Sequence, residues 1–254
     1  MEMNGQSVVG RIAHTLHAKQ FLVFYAIGLF AIDFMAPLIA AWLGDPRPLS
    51  EVFAESGAGL DALVRDPTAA GIGLVAGGLL LLSWLRCGYI RSIAGHLHFS
   101  PAGPRQFLGM LGILLITQLV QLGLLSLQRA IVGADWAAVL ISLLQLGVYL
   151  FLLYADYAVV LSGLDPFTAL YRSWQTVRAN LTASLLVLVA GTLLTLLIAL
   201  LIDPALDGGL RDIVGLLVVR IVAIGAVAFI TDVALIVVFV DSVERGAIPR
   251  GRRR

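Results

Sequence analysis

Five ionisable residues stand inside otherwise apolar runs: Asp33, Arg86, Asp156, Arg220 and Asp232. A charge in hydrocarbon is costly, so such groups face the interior of a helix bundle and take partners there. With a rise of about 1.5 Å per residue, Arg86 lies about 6 Å from the end of its run. On the same scale Asp156 and Asp232 lie about 8–12 Å from the corresponding ends of theirs, so the three can meet. Asp33 and Arg220 both fall near mid-depth and are expected to form a second pair. These groups can do one of three things. They can lock a bundle as ion pairs. They can line a polar cavity for a solute, a lipid headgroup or a proton. Or two aspartates can share a proton, as in an aspartyl-protease-like dyad. The chain lacks a Gly-x-Gly-Asp motif, although Tyr154-Ala155-Asp156-Tyr157 is similar in kind.

Other reactive side chains are sparse. His14, His17, His96 and His98 fall in surface segments. His96 and His98 would share a face only in an extended chain, and no cysteine or His-Glu-x-x-His accompanies them. No metal site is expected. The single cysteine, Cys87, excludes an intrachain disulfide and reads as a small buried hydrophobe. Gly71-Ile72-Gly73-Leu74-Val75-Ala76 matches a dinucleotide fingerprint in letters alone. That fingerprint needs a preceding strand and a βαβ unit, which this chain does not offer. Gly73 and Gly77 read instead as a close helix-packing face. No cofactor and no catalytic residue is assigned.

The elements that position these groups are long and apolar. Hydrophobic residues make up 59% of the 254 residues, charged residues 13%, and the mean hydropathy is +0.96. Soluble domains carry about twice that share of charge. The chain is therefore expected to be an all-α, polytopic integral membrane protein. Its spans are expected at about 21–43, 69–90, 107–127, 136–161, 181–202 and 213–240. The first run is too long for a signal-peptide core and is read as a retained helix. An amphipathic segment over 1–20, with Val9, Ile12 and Leu16 on one face, precedes a membrane domain over 21–241, and a basic tail over 242–254 follows. The net charge of +1 argues against a nucleic-acid partner.

The most informative stretch runs from Asp165 to Leu201. Asp165 is a good N-cap and Pro166 suits the first helical turn. Phe167, Leu170, Trp174 and Val177 recur at helical spacing and are expected to form one apolar face. Arg172, Gln175 and Arg178 are expected to point elsewhere. The resulting helix would lie on a membrane surface, its arginines near phosphates and Trp174 and Tyr171 at headgroup depth. An uncharged run from Leu181 to Ile202 follows at once. Ala169-Leu170, Arg172-Ser173-Trp174, Val177-Arg178 and Asn180 resemble a segment shared by a large group of prokaryotic six-helix membrane proteins. That group includes the membrane domain attached to some glycerophosphoryl diester phosphodiesterases, and several families of unknown function. The resemblance implies a six-helix membrane fold. The phosphodiesterase domain of the fused members has no counterpart here, so no activity is carried over.

Lysine and arginine set the expected orientation. Arg11, Lys19, Arg91, Arg105, Arg172, Arg178, Arg245, Arg250, Arg252, Arg253 and Arg254 fall on one side, and Arg47, Arg65, Arg129 and Arg211 on the other. Both termini are thus expected to be cytoplasmic, in the inner membrane of a bacterial or archaeal cell. Asn180-Leu181-Thr182, a glycosylation acceptor in letters, falls on the cytoplasmic side. The expected role is non-enzymatic: structural, lipid-associated or partner-binding. Membrane lipids, a membrane-protein partner or a second copy of the chain are the expected contacts. A small-solute or lipid transporter using the buried Asp and Arg, and an intramembrane enzyme, stand as alternatives.

Overall fold

The computed structural model describes residues 7–31, 69–95, 103–130, 135–206 and 210–244. Among the described residues the regular structure is helical, without a strand. In chain order the helices are α1 (Val8–Ala18), α2 (Gln20–Ala31, opening on a 3-10 turn), α3 (Ala69–Ala94), α4 (Pro104–Ala130) and α5 (Asp135–Leu152). There follow α6 (Ala155–Ser162), α7 (Pro166–Ala179), α8 (Leu181–Leu206) and α9 (Leu210–Glu244).

Among the described residues four segments are long and apolar enough to cross a bilayer: Pro104–Leu124, Leu143–Ser162, Leu181–Ile202 and Val218–Glu244. A bilayer core of about 30 Å asks for roughly 20 such residues. The first expected span enters the described residues only as α2, and its remainder, with Asp33, lies outside them.

The expected fourth span is two helices. α5 stops at Leu152, and α6 restarts at Ala155. A break at membrane depth frees backbone groups that only protein can satisfy. Here the Tyr154 N–H donates to Ser173 Oγ of α7 at 2.9 Å, where a continuous helix would have supplied a carbonyl. α6 ends at Gly163, which has φ +65° and donates its N–H to the Val159 carbonyl. That left-handed conformation is cheap only for glycine. Two residues later Asp165 caps α7, accepting from the Thr168 N–H at 3.1 Å, with Pro166 in the first turn.

α7 packs against α5 and α6 and touches α4, α8 and α9. Its buried face corrects the expectation. Ala169, Leu170, Arg172, Ser173, Thr176 and Val177 are buried, whereas Phe167 and Trp174 are exposed. At about 100° per residue, Phe167 and Trp174 lie at one edge of the expected apolar stripe and Leu170 and Val177 at the other. The bundle surface takes the second edge together with the hydroxyl-bearing face beside it. Arg172, expected near phosphates, therefore turns inward and is 7% exposed.

α9 is 35 residues long, about 52 Å, and outreaches the hydrocarbon. Its final turns carry α1. Arg11 lies 3.3 Å from Asp241 and 3.2 Å from Glu244. Val8, Ile12 and Leu16 pack on the core, while Val9, expected on that face, is 75% exposed. At Gly225 α9 meets α2 so closely that a Cβ would sit 2.7 Å from the Ile27 Cα, so only glycine fits. Of the close-packing face expected at Gly73 and Gly77, the surroundings of Gly73 lie outside what is described, and Gly77 is exposed, with nothing among the described residues within 4 Å of an added Cβ.

Candidate functional site

Arg86, Asp156 and Asp232 come from α3, α6 and α9, and the structure brings them together. Arg86 Nε donates to Asp156 Oδ2 at 2.6 Å, and Arg86 Nη2 lies 3.7 Å from Asp232 Oδ1. Three elements supply the geometry. α3 presents Arg86 about two turns before its end. The α5–α6 break puts Asp156 in the first turn of a new helix, where the helix dipole favours a carboxylate. α9 presents Asp232 from a stretch that is buried almost continuously from Asp232 to Phe239.

Tyr157 completes the cluster. Its hydroxyl donates to Asp232 Oδ1 at 2.5 Å, and the side chain is 1% exposed. Asp232 is thus held by a phenol and approached by a guanidinium. Charge-assisted hydrogen bonds of this kind are roughly twice as strong as neutral ones. The cluster is not sealed: the side chains of Arg86, Asp156 and Asp232 keep 31%, 18% and 13% exposure.

An aromatic plate backs the cluster. Tyr154 stacks on Phe239 at 6.1 Å, and Tyr157 packs at 6.2 Å from Tyr154 and 6.5 Å from Phe239. The Tyr154 hydroxyl shares a hydrogen bond with Ser184 Oγ of α8 at 2.9 Å. Around this plate two more polar joints tie helices together. Gln106 accepts from Arg91 at 3.1 Å and donates to the Val160 carbonyl at 2.9 Å, which joins α3, α4 and α6. Asn180 donates to Ser242 Oγ at 2.5 Å, which fixes the α7–α8 junction to α9.

Tyr157, Ser173, Gln106 and Ser242 join the site only through the fold. Tyr157 had a signal, its place beside Asp156. The other three are common polar residues whose partners lie 19 to 62 positions away. Of the remaining candidates, Asp33 lies outside the described residues, so its expected pairing with Arg220 does too. Arg220 is buried within α9, at 8% exposure. His96 and His98 also lie outside the described residues, and His14 and His17 are exposed on α1. Cys87 is fully buried, its thiol 3.6 Å from the Gln106 carbonyl. Among the described residues no three His, Cys, Asp or Glu side chains stand together as metal ligands.

The apolar segments and the cluster suit an α-helical membrane protein whose bundle is cross-linked by buried and half-buried polar side chains. Comparison with known protein families, curated proteins and solved structures finds no match to this chain.

Proposed function

We propose that the chain is a six-span protein of a prokaryotic inner membrane, with both its ends cytoplasmic and a non-enzymatic role that is structural, lipid-associated or partner-binding. In this reading Arg86, Asp156, Asp232 and Tyr157 form a lock that holds three helices in register. One observation carries it: the polar groups of the cluster are spent on one another. Arg86 engages both carboxylates, and Tyr157 takes an oxygen of Asp232. An aspartate dyad that shares a proton directly needs its two carboxylates on one another, and here each has an oxygen against the Arg86 guanidinium, at 2.6 Å and 3.7 Å. The membrane lipids are the expected partners, and the likeness of the 169–180 segment to six-helix membrane families supports the span count.

A transporter is the second reading. The interrupted α5–α6 helix favours it, because broken helices beside buried charges are a common way to build a solute site at membrane depth.

Asp156→Asn and Asp232→Asn separate the two. A lock predicts loss of a monodisperse, folded protein in detergent. A transport site predicts folded protein with altered solute flux in proteoliposomes. Topology is tested independently with a reporter active only in the cytoplasm. It is expected to work after residue 254 or near His98 and to fail near Glu55. Activity near Glu55 would overturn the orientation.

A further inference from the structure

The outward side of α7 is a single stripe. Phe167, Tyr171 and Trp174 are 77%, 62% and 40% exposed, and Arg178 is exposed beyond them. At about 100° per residue these four positions fall within roughly 60° of arc. The opposite side is closed by the bundle through Ala169, Ser173 and Thr176. Three aromatic side chains in line, with an arginine one turn further on, are therefore left facing away from the protein.

We infer that this stripe docks on the phospholipid headgroup layer of the host bilayer and sets the depth at which the bundle sits. The inference rests on the membrane-protein reading above and adds the surface, the residues and the depth. Connectivity fixes the occupant. Asn180 alone separates α7 from α8, and the most apolar 18 residues of Leu181–Ile202 contain none that the protein buries. Lipid is what such a segment meets, so the start of α8 marks the edge of the hydrocarbon. The other end of α7 is tied by Gly163 to Asp165 to the end of the Leu143–Ser162 segment. α7 thus runs between two membrane-crossing segments and must stay near the boundary both of them reach. Tyr and Trp are the side chains that favour this depth, with an apolar ring and a polar edge. Arg178 adds a cation at the level of the phosphates.

The surface differs from the one the sequence pattern suggests. Trp174 and Phe167 belong to it, whereas Leu170 and Val177 pack inward and Arg172 with them. Trp174 also leans on Phe151 at the end of α5, at 6.3 Å between ring centroids, so its position is held from the protein side.

Depth-dependent quenching tests the inference. The full chain carrying Trp42→Phe, Trp84→Phe and Trp136→Phe keeps Trp174 as its one tryptophan. It is placed in nanodiscs of phosphatidylcholine and phosphatidylglycerol that hold a nitroxide at the headgroup or at the middle of the acyl chain. Quenching by the headgroup nitroxide is expected to exceed that by the mid-chain nitroxide about twofold or more. Stronger quenching by the mid-chain label would place the stripe in hydrocarbon and overturn the inference. Quenching by aqueous iodide with neither lipid label effective would place it in water and overturn it too. A second probe guards against misfolding of the triple variant. Cys87→Ser with Phe167→Cys, carrying an environment-sensitive dye, is read against the same two lipid labels with the same expectations. Loss of this signal while Asp156→Asn and Asp232→Asn still unfold the protein would sink the docking surface alone. An intact signal with Asp156→Asn and Asp232→Asn leaving the fold unaffected would sink the lock alone.

Discussion

The two ends of the bundle are built differently. At one end the last third of α9 is buried on nearly every side, and 56% of the most apolar 18-residue stretch of Val218–Glu244 is buried in protein. Here lie the Arg86 cluster, the aromatic plate, the Gln106 and Asn180 joints and the underside of α7. At the other end α8 presents Leu193, Leu197, Leu200 and Leu201 outward, at 53% exposure or more. Helices in lipid gain little from burying leucine, since the tails are as apolar as the side chain. Polar groups and close contacts therefore decide which surfaces meet. The polar end has them and is packed.

The sharpest way to break this contrast is to remove its centre. Arg86→Leu leaves Asp156 and Asp232 without their cation, and breaking a buried pair typically costs about 3–5 kcal/mol. The partial exposure of the pair puts the expected loss at the lower end of that range. Unfolding by SDS titration measures it. Adding Asp156→Asn should restore part of the loss, and the double-mutant cycle should show a coupling of about 1 kcal/mol or more. Additive losses would mean that the pair does not hold the bundle.

A middle effect is expected at Asp165, at the edge of the packed end. The hydrogen bonds from Thr168 hold its carboxyl below the usual carboxylate range. Asp165→Ala should cost about 1 kcal/mol, as loss of a helix cap does. A depressed carboxylate contributes stability above its unfolded pKa of about 3.9, and that contribution is lost as pH falls through the folded value. The wild-type and variant unfolding curves should therefore stay apart at pH 7 and converge as pH falls below the unfolded pKa of about 3.9.

The smallest effect is expected at the other end. Leu193→Ala on α8 removes a side chain that is 59% exposed, and its cost in detergent should stay within about 0.5 kcal/mol. A cost above 2 kcal/mol would show that a second chain covers this face, and the contrast between the ends would need that partner.

Much of the fold was legible. An uncharged run such as Leu181–Ile202 admits one reading, because backbone polar groups in lipid must be satisfied within a helix. The depth of Arg86, Asp156 and Asp232 was legible for a related reason: rise per residue is nearly constant, so sequence spacing converts to height. Azimuth around the bundle was not. Hydrophobicity orients a helix when its apolar side chains form one stripe against the core, and on α7 they stand on both the buried and the exposed side. Hence Leu170 and Val177 packed inward while Phe167 and Trp174 packed outward, and Arg172 went with Ser173 into the interior.

The sequence by itself determined the helical class, four of the apolar segments and the matching heights of Arg86, Asp156 and Asp232, since each follows from local composition and a fixed helical rise. Tertiary structure alone decided the α5–α6 break, the place of Tyr157 on Asp232, the joints at Gln106 and Asn180, and the side of α7 that packs into the bundle. Each of these depends on which surfaces two distant helices bring into contact, and that choice is made by hydrogen-bond geometry and shape between segments far apart in the chain.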